Sequence, residues 1–324
     1  MAEAKSGGFR VAVLDDYEGV ADQAPAYQTL KQRADVTILR ERLATEEEWG
    51  RALAGVYAVL LVRERSRFGE KQLALAPSLK LISQTGRTTG HIDMAAVTRR
   101  GIAVAVTPGD SGSSTVELTT ALIFAVLRRI PEIDRRMRRE QWPAVAGRLF
   151  EGKTLGVVGL GRIGKQVARI AQLFRARVLA TGRTLTEERA REAGAEAVSL
   201  ETLLRESDIV TIHVPLNPQT RGLIGEKEFA LMKRGAILIN TARGPIVSQT
   251  ALLDALQSGK LAGAGLDVYD EEPLPQDHPL RRCDNAVLLP HRGYATVEVL
   301  RERYQSAMEN ILSFLDGKPA DVIN

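Results

Sequence analysis

Residues 154–171 read TLGVVGLGRIGKQVARIA. A short apolar, β-branched run, Thr154–Val158, leads into Gly159-Leu160-Gly161-Arg162-Ile163-Gly164, and a helical pattern opens at Lys165. Strand, glycine turn and helix, in that order, are what a dinucleotide cradle requires. Gly159 makes the tight turn, Gly161 lets the backbone approach a pyrophosphate, and Gly164 packs helix on strand. The helix amino terminus then offers free N–H groups and the positive end of its dipole to phosphate. Arg162 and Ile163 ride on the same loop. Alone, a GxGxxG is a common tight turn; this setting is what predicts a nucleotide.

Strand-like and helix-like segments alternate on both sides of the loop. Short runs at 10–16, 35–41, 58–63, 79–86 and 102–108 form one series. A long helix, 113/114–130, separates it from a second series at 154–161, 177–182, 208–215, 235–242, 263–269 and 285–291. Such alternation predicts an α/β protein of two doubly wound parallel-sheet domains, as does the length of 324 residues. The final helix, 296–318, puts Val297, Leu300, Tyr304, Ile311 and Leu315 near one face, with Gly317 as its stop.

Composition narrows the class. One cysteine, Cys283, rules out an internal disulfide framework and fits a reducing compartment. The amino end lacks the apolar core of a signal peptide, and no segment approaches a membrane span; a cytoplasmic protein without a membrane partner is expected. The net charge is +4. The arginine-rich stretch from Arg128 to Arg139 alternates with Glu132, Asp134 and, just beyond, Glu140, which reads as a solvated or subunit-contacting helix face. Without stacking aromatics or a recognisable module, a nucleic-acid partner is not expected, and no metal is.

Residues 177–186, RVLATGRTLT, sharpen the nucleotide reading. About twenty residues past the glycine loop, this strand should end on Asp or Glu, which binds the adenosine ribose. It ends instead in Thr181-Gly182-Arg183-Thr184. The missing acid removes repulsion of a 2′-phosphate, while Arg183 and the Thr184 hydroxyl supply donors. NAD(P) is therefore expected, leaning to NADP(H).

Three later stretches follow strands, at the edge where open α/β sheets bind ligands: Asn240–Gly244, Asp267–Pro273 and Pro290–Gly293. They carry Arg243, Glu272 and His291. An arginine holds a carboxylate and polarises a carbonyl, a histidine exchanges the proton, and a glutamate favours its charged form. Individually each has a structural explanation; together, downstream of the loop, they make a hydride-transfer set.

At these residues the chain resembles the D-isomer-specific 2-hydroxyacid dehydrogenases, in particular glyoxylate/hydroxypyruvate reductases and short phosphoglycerate dehydrogenases. VGLGRIG, HVPL…TRGLI, INTARGPIV, GLDVYDEEPLP and LLPH match the family pattern in order and spacing, nearly end to end. The resemblance implies a Rossmann cofactor domain, 110–293, inserted into a flavodoxin-like substrate domain made of 1–109 and 294–324. It implies reduction of a small 2-keto acid to the D-2-hydroxy acid, and the reverse, with Arg243 on the substrate, His291 as acid/base and Glu272 tuning it. Asp267 and Thr241 then lie near the nicotinamide, His213, Pro215 and Thr220 on the adenosine side, and Thr115 and Gly293 also at the cofactor. The backbone around Gly86, Arg87 and Thr88 would hold a carboxylate, and Arg63 an anionic group. The Thr-Gly-Arg run is similar to that of NADPH-preferring members. Arg292 departs from the pattern: it either disfavours the imidazolium, pairs with an acid, or meets a second anionic group on the substrate. The helix from Ser114 and the arm to about Trp142 resemble the family's dimer contact, so a homodimer is expected. The same fold also serves dinucleotide-sensing corepressors, the rival reading from another class.

Overall fold

The structure, a computed structural model, describes residues 8–109, 112–139 and 142–324. The first seven residues of the amino end, and Glu140 of the arginine-rich stretch, lie outside the described residues. The chain divides into two units, Met1–Asp110 with Ala295–Asn324, and Ser111–Tyr294. Among the described residues no helix is long and apolar enough to cross a membrane.

The first unit holds β1 (Arg10–Val13), α1 (Pro25–Arg33), β2 (Asp35–Ile38), α2 (Glu46–Leu53), β3 (Val56–Val62), α3 (Glu70–Leu75), β4 (Leu81–Thr85), α4 (Met94–Arg99), β5 (Ala103–Val106) and a terminal helix, Val297–Leu315. Its sheet is parallel in the order β2-β1-β3-β4-β5, a flavodoxin-like arrangement. β4 is buried along its whole length, as a strand covered on both faces must be. Leu14, Leu53, Phe68, Ile82 and Val104 share one of its cores.

The terminal helix joins this sheet through named bonds. Ser83 Oγ donates to the Ala307 carbonyl (2.8 Å), Asn310 Nδ2 to the Val106 carbonyl (3.1 Å), and Tyr304 OH to Asp16 Oδ1 (2.8 Å). Its buried face runs Leu300, Arg303, Tyr304, Ala307, Met308, Asn310, Ile311. Val297 is not on it, being half exposed, because the helix begins there, one residue past its Thr296 cap. Gly317 follows the helix with φ +70°, a left-handed stop that glycine adopts without penalty.

The second unit contains β6 (Thr154–Val158), β7 (Arg177–Thr181), β8 (Glu196–Ala197), β9 (Ile209–Ile212), β10 (Ala236–Asn240), β11 (Leu261–Leu266) and β12 (Ala286–Leu288). Its helices are α5 (Ser113–Leu127), α6 (Ile130–Met137), α7 (Arg162–Leu173), α8 (Glu187–Glu192), α9 (Leu200–Glu206), α10 (Glu226–Leu231) and α11 (Gln249–Gln257). The sheet order is β12-β11-β10-β9-β6-β7-β8, all parallel. Alternate residues feed opposite faces: Leu238 joins one core, while Ile237 and Ile239 join the other. This is a Rossmann-type unit.

The single helix expected over 113–130 is two. α5 stops at Leu127, and Arg129 sits in the left-handed region at φ +53° before α6 opens with Pro131 in its first turn. Proline has no N–H to continue the preceding helix, but its fixed φ suits a new one.

Candidate active site

Sheet order explains why residues far apart in sequence meet. β6 and β9 are neighbours, and the chain leaves them toward opposite edges, so their carboxyl ends open the crevice in which such sheets bind ligands. The glycine loop follows β6, and the His213–Thr220 segment follows β9. Beyond β9 lie β10, β11 and β12 side by side. Arg243 follows the first, Asp267 and Glu272 the second, His291 the third.

The cradle suits a dinucleotide. Gly159 has φ +99°, and a Cβ there would stand 2.7 Å from Val214 Cγ1 and 2.8 Å from the His213 carbonyl. A Cβ on Gly164 would run into the Gly159 carbonyl. Gly161 differs: nothing lies within 4 Å of where its Cβ would be, and it caps the amino end of α7. Two glycines are therefore demanded by packing, and the third faces open space at the amino end of α7, which leaves room for an anion. Arg162 and Ile163 begin α7 beside it, both near Gly112.

Past the adjacent β7, Gly182 is not sterically compelled, since a side chain there would meet only Leu185, at 3.7 Å. Space therefore does not exclude an acid at this corner. Arg183 is exposed. Arg189, which the sequence reading passed over, folds back from α8 to donate to the Thr184 carbonyl (2.8 Å), putting a second guanidinium on this loop.

Just past β9, His213 shares a hydrogen bond between Nε2 and Thr211 Oγ1 (2.9 Å), and burial lowers its pKa to about 4. It is neutral near pH 7. Thr220 Oγ1 donates to the Pro215 carbonyl (2.6 Å) and accepts from the Asn217 N–H (2.9 Å). Pro215 and Thr220 therefore close one turn beside the crevice.

Arg243 leaves β10 in extended backbone, with φ −148°. Its loop is fastened by Asn240, buried at the strand end, whose Nδ2 donates to the Arg243 carbonyl (3.0 Å) and whose Oδ1 accepts from the Ala242 N–H (3.0 Å). Arg243 Nη1 rests on the Ala242 carbonyl (2.7 Å). A side chain at Gly244 would collide with the Tyr269 backbone, so the arginine loop passes tight against the loop carrying Glu272. Thr241 Oγ1 lies 2.8 Å from Thr119 Oγ1. Since Thr119 donates its one hydroxyl hydrogen to the Thr115 carbonyl (2.7 Å), Thr241 is the donor in that pair.

Glu272 and His291 are in contact, Oε2 to Nδ1 at 2.6 Å. The other carboxylate oxygen accepts the Tyr269 N–H (2.9 Å). Burial pushes the Glu272 carboxyl up. The bond and charge of His291, the Tyr269 N–H and the Arg243 charge outweigh it and hold the group below the usual carboxylate range. Glu272 is thus a carboxylate, aimed at Nδ1, and the other ring nitrogen, Nε2, is left for a reacting group. His291 itself has φ +55°, a strained conformation that surroundings must enforce.

Asp267 enforces it. Buried at the end of β11, it accepts the Arg292 N–H on Oδ1 (2.6 Å) and the Gly293 N–H on Oδ2 (2.7 Å). Burial raises its pKa against those two donors and the His291 charge. Thr115 Oγ1 pins the same turn by donating to the Gly293 carbonyl (2.9 Å). Asp267, Thr115 and Gly293, expected at the cofactor, are seen to brace the histidine turn. The Arg292 backbone N–H is one of the two donors that hold this turn.

Arg63, Gly86, Arg87 and Thr88 belong to the first unit, at the ends of β3 and β4. Gly86 has φ +88° and donates its N–H to Thr107 Oγ1 (2.7 Å). That N–H is therefore committed to the fold, and the N–H groups of Arg87 and Thr88 are the candidates for a carboxylate.

A dinucleotide cradle, with an arginine and a carboxylate-paired histidine on the same sheet edge, defines a nicotinamide-dependent oxidoreductase. Residues 120–293 match the family profile described as D-isomer specific 2-hydroxyacid dehydrogenase, NAD binding domain. The chain is 40% identical to a glyoxylate reductase of Aeropyrum pernix, over 98% of this chain and 90% of that protein. It is 39% identical to a D-3-phosphoglycerate dehydrogenase of Archaeoglobus fulgidus over 81% of this chain, but spans half of that protein. Among solved structures, a phosphoglycerate oxidoreductase from Vibrio cholerae superposes with a TM-score of 0.88 at 32% identity, covering 96% of this chain and all of that one. The chain belongs to the D-isomer-specific 2-hydroxyacid dehydrogenase family, and it is a D-2-hydroxyacid dehydrogenase using a nicotinamide dinucleotide.

Proposed function

We propose that this enzyme reduces a small 2-keto acid, of the glyoxylate or hydroxypyruvate class, to the D-2-hydroxy acid and runs the reverse reaction, with NADP(H) preferred. The observation that carries it is the 2.6 Å contact between His291 Nδ1 and Glu272 Oε2, on the sheet that also bears the glycine cradle. The glycine loop Gly159–Gly164 would hold the nicotinamide dinucleotide, which when bound would supply or accept hydride at the carbonyl carbon. Arg243 holds the carboxylate and polarises the keto oxygen. His291 gives its Nε2 proton to that oxygen as it becomes a hydroxyl, and takes it back in the reverse direction. Glu272 stabilises the charged imidazolium from which that proton comes. Asn240 and Asp267 keep the arginine and histidine loops in place, and the backbone of Arg87 and Thr88, with Gly86 and Arg63, contributes to holding anionic groups.

Screening the purified protein at 340 nm against 2-keto acids with both cofactors tests the reaction. Oxidation of NADPH by at least one small 2-keto acid is expected. Cofactor binding without any turnover would favour the sensor reading, which relatives named glyoxylate reductase do not.

NADP(H) preference rests on the acid-free corner at Gly182 with Arg183, Thr184 and Arg189 around it. Arg183→Ala should lower the ratio of kcat/KM for NADPH over NADH about tenfold or more, and Gly182→Asp should fold normally and do the same. An unchanged ratio in both, or a wild type that prefers NADH, contradicts the preference. A homodimer is the proposed assembly, supported by the exposed apolar residues Ile130, Met137, Trp142 and Leu149 on and just after α6.

A further inference from the structure

The second unit carries a cavity on the sheet edge opposite to the one that bears Arg243, Glu272 and His291. About 940 Å³ in volume, it lies where β10, β11 and β12 begin, beside the turn from α5 to α6. Its walls come from residues 125–287, all within this one unit. The size is that of a small-molecule site, but the lining is strongly charged. Arg129, Arg135, Arg136, Arg139, Arg148 and Arg234 all contribute to it.

Two carboxylates oppose them. Glu132 is shared by Arg129 Nη2 (2.6 Å) and Arg136 Nη1 (3.5 Å), and Asp284 lies 3.4 Å from Arg135 Nη2. Six guanidiniums against two acids leave an excess of four charges, as large as the net charge of the whole chain. Among the described residues Arg139 and Arg234 have no acidic partner. Guanidiniums do not titrate away, so this repulsion is permanent unless an anion relieves it.

The backbone holds arginines here at a cost. Arg129 sits at φ +53°, a left-handed conformation that suits glycine and strains a residue with a side chain. Such strain collects where a residue has a task. The Arg148 N–H donates to the Leu127 carbonyl at the end of α5 (2.8 Å), and its guanidinium donates to the Gly235 carbonyl. A Cβ at Gly235 would stand 3.4 Å from both Nη atoms of Arg148, so that fork lies against the residue leading into β10.

We infer that this cavity is a second binding site, for a small, multiply charged anion: a phosphate ester or a polycarboxylate. Clustered guanidinium forks match the oxygens of either, and a concave wall of one sign concentrates such anions.

Calorimetric titration of the full chain with inorganic pyrophosphate and with citrate tests it, at constant ionic strength and with the nicotinamide dinucleotide saturating so that the glycine cradle is filled. One anion per chain is expected, and the tighter of the two tells phosphate from carboxylate. Arg139→Gln with Arg234→Gln should weaken binding about tenfold or more. Arg138→Gln with Arg205→Gln removes as much charge from exposed arginines outside the cavity. That pair should leave binding within about twofold, because distant exposed charges are screened. Absence of binding by both anions overturns the inference, as does equal weakening by the two pairs, which marks diffuse attraction only. Should the first pair fail to fold, judged by circular dichroism, Arg234→Gln against Arg205→Gln decides by the same comparison. Because α6 also bears the exposed Ile130 and Met137, the titration is repeated on Ile130→Glu with Trp142→Glu. Binding that appears only in this variant gives the cavity to a second copy of the chain and overturns the inference too.

Discussion

Glu272 uses its two oxygens for different tasks, one to hold the Tyr269 N–H and the other to face His291 Nδ1. Replacing it by glutamine keeps the size and removes the charge. In the proposed reaction His291 gives the proton, so the rate of reduction is expected to fall as the pH rises. Without the carboxylate the imidazolium is less favoured, and Glu272→Gln should move that fall to lower pH and cut kcat about ten- to a hundredfold. An unmoved alkaline limb would show that the pair is only structural. The same lowered carboxyl contributes stability that is present above the unfolded carboxylate value, near pH 4.3, and is lost as the pH falls through the lower folded one. At this scale the candidate residues stood out because Arg243, Glu272 and His291 each sit in a stretch with a chemical signature. The residues that hold them stood out less. Asn240 precedes Arg243 by three positions, the spacing of a side chain that fastens its own turn, but an asparagine between strand and loop is too common to single out. Arg303 carries no signal in the sequence, and only the packed structure shows it inside.

The glycine cradle tests the account at the scale of the element. Gly161 faces open space and Gly164 faces the Gly159 carbonyl, so the same substitution should have opposite consequences. Gly161→Ala should leave the thermal midpoint within a few degrees, since an N-cap change from glycine to alanine costs at most about 1 kcal/mol, while raising the KM for cofactor tenfold or more. Gly164→Ala should destabilise the protein by several degrees, because strand and helix must separate to admit the methyl group. Equal loss of stability in both would contradict the division of roles. Elements themselves were legible where the pattern is strong: strands such as β3 and β10 stand out as apolar runs in the sequence. β8 was missed because it is two residues, Glu196 and Ala197, stabilised by its neighbour rather than by its composition. The break at Arg129 was missed because the apolar period continues past Leu127, and the proline that ends it stands four residues on.

At the scale of the whole molecule, two parallel sheets with different strand orders follow from one alternating sequence, and each order fixes where its unit can bind. The patch bearing Ile130, Met137, Trp142 and Leu149 is the feature that a single chain leaves unexplained, since large exposed apolar residues gathered in one segment mark an interface. Light scattering should give a mass near twice the 35.4 kDa of the chain, and Ile130→Glu with Trp142→Glu should shift it toward one chain. A wild type that is monomeric at micromolar concentration contradicts the assembly. The central claim, however, is that one imidazole moves the proton. Measuring NADPH oxidation by glyoxylate and hydroxypyruvate in the wild type and in His291→Gln addresses it most directly. The account predicts a loss in kcat of a hundredfold or more with cofactor affinity preserved within about threefold; a His291→Gln enzyme that turns over as fast as the wild type would contradict it.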